Sequence, residues 1–118
     1  MSPQATSPIT THVLDVSVGR PATGVPVVLE VEEVGTGWKQ LGRSVTDRDG
    51  RANDLLDADK IAEGTYRLTF DTGAYFADQS MRSFYPEITV VFSVYDGVDH
   101  YHVPLLLSPF GYSTYRGS

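Results

Sequence analysis

The 118-residue sequence contains no cysteine. Disulfides and thiolate metal sites are therefore excluded, while the redox compartment stays open. Basic residues are scarce: 9 Lys and Arg stand against 15 Asp and Glu, for a formal net charge of -6. Nucleic-acid binding needs clustered Lys and Arg to neutralise phosphates, so no nucleic-acid partner is expected. No apolar run approaches the roughly 20 residues of a membrane span, so no membrane partner is expected either. The stretch from Met1 to Thr11 has neither a basic n-region nor an apolar h-region, so no signal peptide is visible and the cytoplasm is the default compartment. Repeats, linkers and low-complexity tracts are also absent. What remains is 41% hydrophobic and 20% charged, the composition of one globular domain.

Residues 1–8 form a flexible lead-in by composition, and residues 9–118 carry the structured domain. Apolar residues there recur with period 2, the mark of half-buried strands. Ile9 to Val16 is a first strand, stopped by Gly19-Arg20-Pro21. Val27, Leu29 and Val31 alternate with Val28, Glu30 and Glu32 in a second, and Gly37 to Val45 forms a third. Thr46-Asp47-Arg48-Asp49-Gly50 has turn chemistry, since Asp tolerates turns and Gly accepts positive φ. Alternation returns at Tyr66, Leu68 and Phe70, at Ile88 to Tyr95, and at His100 to Leu107. Beyond the turn at Ser108-Pro109-Phe110-Gly111, Tyr112 to Ser118 reads as a last strand antiparallel to its predecessor. One short helix is expected in Gly73 to Ser80, with Asp57 to Glu63 as a second candidate. Many short strands between Gly and Pro turns make an all-β sandwich.

Candidate chemistry centres on the 3 histidines. In His100-Tyr101-His102-Val103-Pro104-Leu105-Leu106-Leu107, one face holds Tyr101, Val103, Leu105 and Leu107 and suits the core. The other holds His100, His102, Pro104 and Leu106. Pro and Leu beside two imidazoles imply that this face is covered, for instance by another subunit. His12 shares its face with Thr10, Leu14 and Val16, again in apolar company. A histidine titrates near neutrality, so a sheltered one can act as acid or base; pattern alone leaves open a satisfied polar group at an interface. His100 and His102 have usable spacing for a metal, with His12 as third ligand, but no ligand-dense cluster stands nearby. No Gly-x-Ser-x-Gly elbow appears. Arg51, after the Asp49-Gly50 turn, is either a solvated loop arginine or a planar fork for substrate oxygens. Tyr115-Arg116-Gly117-Ser118 is either a trivial last strand or a tail bringing a ring, a hydroxyl and a carboxylate to a site.

Three motifs carry a resemblance: Thr11-His12-Val13-Leu14-Asp15, Thr46-Asp47-Arg48-Asp49-Gly50-Arg51, and the block from His100 through Leu107 and Ser108-Pro109-Phe110-Gly111 to Tyr115-Arg116-Gly117-Ser118. Phe84-Tyr85-Pro86-Glu87-Ile88 also fits. The sequence resembles the transthyretin-like 5-hydroxyisourate hydrolases in the order and spacing of all of them. The resemblance implies a transthyretin-like (prealbumin-like) two-sheet β-sandwich of about eight strands with one short helix. It also implies a homotetramer, a dimer of dimers, with active sites in a channel between dimers. The implied reaction is hydrolysis of 5-hydroxyisourate to 2-oxo-4-hydroxy-4-carboxy-5-ureidoimidazoline in urate degradation, with no metal or organic cofactor expected. His12, Arg51 and His102 would be catalytic, and His12, Arg51, Tyr115, Arg116 and Ser118 would bind substrate. The same fold has a carrier class, the hormone-carrying transthyretins, which resemble it in backbone. Their counterparts of His12, Arg51, His102 and Tyr115 are lysine, glutamate, threonine and threonine. On pattern, Tyr115 faces with Gly117 and is the better placed for the channel, whereas Ser118 needs a bend to reach it.

Overall fold

Alternating apolar residues become two stacked sheets in the computed structural model, which describes residues 7–97 and 99–118. In chain order the elements are β1 (Ile9–Asp15), β2 (Arg20–Pro21), β3 (Pro26–Glu33), β4 (Gly37–Val45), β5 (Arg51–Ala52), β6 (Gly64–Phe70), α1 (Thr72–Ala77), β7 (Ile88–Val94), β8 (Tyr101–Ser108) and β9 (Gly111–Thr114). One sheet runs β2-β1-β8-β9, with β5 also paired to β1; the other runs β4-β3-β6-β7. Seven of the strands follow the alternation seen in the sequence. The extra two, β2 and β5, are two residues each.

The strands alternate because one face of each sheet is buried against the other sheet. Val27, Leu29, Leu68 and Phe70 from one sheet meet Val13 and Leu105 from the other, all fully buried. On β8 the core face is Tyr101, Val103, Leu105 and Leu107, as the pattern requires. All pairings are antiparallel except one: β1 and β8 run parallel, with Ile9 opposite Tyr101 and Asp15 opposite Leu107. The first and eighth strands are thus laid side by side, which brings the histidine near the start of the chain to those near its end.

The helix starts where Asp71 accepts a hydrogen bond from the Ala74 amide at 3.1 Å, an N-cap contact. It is tied to β1 by Tyr75, whose hydroxyl donates to the buried Asp15 carboxylate at 2.7 Å. Asp57 to Glu63, the second helical candidate, is irregular instead. Its backbone bonds away from itself, with the Ile61 amide donating to the Gly97 carbonyl.

Two boundaries move. Residues 1–6 of the expected lead-in lie outside the described residues, but Ser7 and Pro8 are buried. Ser7 fastens the entry to β1: its amide donates to the Asn53 carbonyl at 3.1 Å and its hydroxyl to the Ile9 carbonyl at 2.6 Å. The last strand stops at Thr114 rather than running to Ser118. The tail touches β8 once more, in the same register, where Gly117 bridges to His102.

Leu105 lies at the centre of this packing, with no exposed surface. Leu105→Ala should lower the unfolding free energy by about 2–5 kcal/mol, the usual range for a buried leucine truncated in a close-packed core. Urea denaturation checks this; a loss below about 1 kcal/mol would mean that the two sheets do not meet there.

Candidate active site

The outer face of β1 carries Thr10 and His12, and the outer face of β8 carries His102, with His100 just before the strand. Parallel pairing sets Thr10 opposite His102 and His12 opposite Pro104. On the other edge of β1, β5 sets Arg51 opposite His12 and Ala52 opposite Thr11. Three segments far apart in sequence therefore converge on one face of one sheet.

Arg51 is held by the turn before it. Asp47 accepts from the amides of Asp49 at 2.9 Å and Arg51 at 3.0 Å, and its own amide donates to the Arg51 carbonyl. Gly50 completes the turn at φ 77°, where a side chain would be strained, and its carbonyl accepts from the Val13 amide at 2.7 Å. A Cβ on Gly50 would also stand 2.4 Å from the Val13 carbonyl and 3.3 Å from the His12 ring. The turn therefore packs directly against His12.

The tail does the same for His102. The Gly117 amide donates to the His102 carbonyl at 2.8 Å. A Cβ on Gly117 would fall 2.6 Å from His102 Cδ2 and 3.2 Å from Pro104 Cγ. Part of the cover expected over this apolar-flanked face is thus the chain's own terminus.

Thr10, Arg51, Asn53, His100, His102 and Ser118 line an open cavity of about 280 Å³. No lining side chain is apolar or acidic. Thr10 is buried, His12 and His102 are half-buried, and His100, Arg51 and Ser118 are exposed. The Thr10 hydroxyl lies 2.8 Å from His102 Nδ1 and 3.0 Å from His100 Nε2. With Nδ1 engaged, Nε2 is the nitrogen that His102 has left for a ligand. Burial holds the His102 imidazole below the usual histidine range, and the charges of Arg51, His12 and His100 add to that. At neutral pH it is an unprotonated ring with a lone pair to give. Larger spaces exist, including one of about 500 Å³ beside α1, but its lining contains no histidine or arginine.

Of the residues singled out in the sequence, Arg51, His102 and Ser118 line this cavity, and His12 does not line it but stands opposite Arg51 in the ladder. Ser118 reaches the cavity although strand alternation set it on the far face, because the chain has left the strand by Thr114. Tyr115 and Arg116 line a different, mostly apolar cleft with Val90 to Ser93 of β7, and Arg116 lies over the Tyr101 ring at 4.6 Å. Thr10 and Asn53 are not singled out by the sequence, and His100 is weighed there only among the histidines and as a metal ligand, not as a residue of the hydrolase site. The i, i+2 spacing of Thr10 with His12, and of His100 with His102, was the available signal. Among the described residues no three His, Asp or Glu stand close enough to hold a metal ion.

Comparison with known proteins identifies the fold and family. Residues 9–117 match the family model described as the HIUase/Transthyretin family. A 5-hydroxyisourate hydrolase of Salmonella typhimurium is 49% identical over 110 residues, covering 93% of this chain and 80% of that protein. Among solved structures, the 5-hydroxyisourate hydrolase of Klebsiella pneumoniae has a TM-score of 0.81 at 38% identity, covering 97% of this chain and all of its own. Sea bream transthyretin, crystallised with thyroxine, has a TM-score of 0.88 at 35% identity, covering 94% and 95% of the two chains.

Two outcomes follow from the site as built. A titration of His102 by NMR should give a midpoint below about 6.5, the ordinary histidine value. Arg51→Gln removes a repelling cation and should raise that midpoint, and a midpoint that does not move would separate Arg51 from His102. Gly117→Ala should displace the His102 ring and shift its resonances, whereas unchanged resonances would mean that the tail is not seated on the imidazole.

Proposed function

The chain belongs to the HIUase/transthyretin family, and from that premise we propose that it hydrolyses 5-hydroxyisourate to 2-oxo-4-hydroxy-4-carboxy-5-ureidoimidazoline. The observation that carries this reading is the convergence of His12, Arg51 and His102 on one polar face. Backbone likeness alone does not separate the hydrolases from the carriers, since the transthyretin has the higher TM-score of the two neighbours. The lining does. A carrier of a hydrophobic ligand needs an apolar wall, and this cavity is lined by imidazole, guanidinium, amide and hydroxyl groups.

Hydrolysis of a cyclic amide needs an activated water, a stabilised oxyanion and a proton for the departing nitrogen. His102 is the general base, for it is the imidazole that its surroundings keep neutral. His Nε2 takes a proton from water, and the resulting hydroxide adds to the ring carbonyl. Arg51 faces the growing negative charge with its planar donor fork. His12, beside Arg51 in register, shares the proton transfer to the leaving nitrogen. The Ser118 hydroxyl helps hold the polar ring.

The working unit is a homotetramer. Two sheet edges, β7 and β9, stand at the same end of the sandwich, on either side of the apolar cleft that Tyr115 and Arg116 help to line. Val91 and Tyr112 are exposed there. Open strand edges beside apolar side chains favour pairing with another chain. Tyr115 and Arg116 belong to that edge, so any contact they make with substrate is made within the assembly.

Purified protein should speed the loss of freshly made 5-hydroxyisourate, followed by ultraviolet absorbance. Arg51→Ala should cost about 10²–10³ in turnover, and His102→Ala or His12→Ala about 10²–10⁴. All three should keep the wild-type mass of four chains by light scattering. Wild-type protein that leaves the decay rate unchanged would overturn the reading, and tight binding of an iodinated phenol without turnover would favour a carrier.

A further inference from the structure

Thr10 is the one buried side chain that joins two histidines of the site, and the proposed reaction gives it no role so far. Its hydroxyl is within hydrogen-bond distance of both His102 Nδ1 and His100 Nε2. A hydroxyl has a single proton to donate. Its oxygen can accept from both rings, or accept the N–H of one ring while donating its own proton to the other. Whenever the Thr10 proton goes to one ring, the tautomers of the two imidazoles are tied together.

We propose that Thr10 and His100 are positioning residues that set the tautomer of His102 and carry a proton between its Nδ1 and the exposed His100. This proposal rests on the hydrolase reading above. Two arrangements place the Thr10 proton between the rings and so connect them. In the first, His102 Nδ1–H donates to Thr10, Thr10 donates to His100 Nε2, and His102 Nε2 presents a lone pair. In the second, His100 Nε2–H donates to Thr10, Thr10 donates to His102 Nδ1, and His102 Nε2 presents a proton. The first is the base that water activation needs, and the second is the acid that the leaving nitrogen needs.

The relay converts one into the other. His102 Nε2 takes the proton from water as oxygen bonds to the carbonyl carbon. The Nδ1 proton passes to Thr10 Oγ1, and the Thr10 proton passes to His100 Nε2. His102 stays neutral throughout, and the positive charge sits on His100, which is exposed to water. When the carbon–nitrogen bond breaks, the Nε2 proton goes to the nitrogen and the relay runs back. Water's two hydrogens end as one hydroxyl hydrogen on the product acid and one on the freed nitrogen.

The surroundings favour moving the charge outward. Burial disfavours a charged His102 ring, and Arg51 on β5, His12 on β1 and His100 just before β8 add to that. A charge left on His102 would sit half-buried near the Arg51 guanidinium. One moved to His100 is hydrated.

The test compares wild type with Thr10→Val, Thr10→Ser and His100→Gln. Long-range proton–nitrogen NMR reads the His102 tautomer without any substrate. Wild type and Thr10→Ser should show His102 protonated at Nδ1, and Thr10→Val should lose that preference. In turnover, Thr10→Val and His100→Gln should lower kcat by about tenfold or more, a share of what a positioned acid–base pair supplies, and Thr10→Ser should restore it. The dependence of rate on the deuterium fraction of the solvent should be bowed for wild type, because several protons move together, and linear for Thr10→Val. An unchanged His102 tautomer in Thr10→Val, or an unchanged kcat in it, would overturn the proposal. If Thr10→Val fails to fold, His100→Gln with wild-type kcat and a bowed solvent dependence overturns it as well. A tautomer locked by Thr10 in a wild type that does not hydrolyse 5-hydroxyisourate sinks the reaction and keeps the lock, so the two failures are distinguishable.

Discussion

The parallel ladder between β1 and β8 is the constraint on which the rest of the molecule turns. Seven residue pairs run from Ile9 opposite Tyr101 to Asp15 opposite Leu107. A slip of one residue would reverse the faces of a strand, sending Val13 or Leu105 out and an imidazole into the core. The buried side chains on both strands forbid that slip. The outer faces inherit their register from the inner ones: Thr10 meets His102 because Val13 and Leu105 must stay inside. The other edge of β1 is fixed in the same way, with His12 opposite Arg51. Core packing and site geometry are thus two faces of one ladder.

How far this was legible in the sequence depends on the range of the interaction. Strands whose alternation repeats over seven or more residues, such as Pro26–Glu33 and Gly64–Phe70, could be drawn from periodicity, because each position reports the same face. Arg51–Ala52 could not. A two-residue strand has no period, and it exists because Asp47 and Gly50 bend the chain back onto Val13. The family motifs nevertheless marked Arg51, since they record the outcome of that bend without its geometry. Thr10, and the contact that joins it to His100, escaped for a different reason. The spacing of Thr10 and His100 from His12 and His102 was visible, but parallel pairing between the first and eighth strands is a long-range fact that no local pattern contains. The tail was half legible. Alternation set Gly117 on the side of His102, where it is, and set Ser118 on the opposite side, where it would be had the strand not ended at Thr114.

The two classes of neighbour show how little of the function resides in the backbone. A thyroxine-bound carrier and a hydrolase both superpose on this chain, the carrier with the higher TM-score. Function on such a scaffold lies in a few outward side chains. Here those side chains run against the composition of the whole. A chain of net charge -6 has set aside a patch holding one guanidinium and imidazoles, with no Asp or Glu side chain in its lining. Such a patch concentrates positive potential where a carbonyl oxygen must become an anion, and burial, with the neighbouring charges adding to it, holds the His102 imidazole below the usual histidine range.

Those two requirements oppose each other over a cycle. The groups that keep His102 unprotonated before the reaction also resist the proton it must take during it. Burial alone would only worsen the conflict, since a half-buried imidazolium loses hydration and gains repulsion. A ring with two nitrogens offers a way out, because a proton can enter at one and leave at the other. That exit requires a partner at Nδ1 able both to accept and to donate, which a hydroxyl can do and a carboxylate or an ammonium cannot. Thr10 meets this requirement from β1, and His100 stands beyond it in water, just before β8. Both are placed there by the parallel ladder, so the pairing that buries the core also determines where the proton can go.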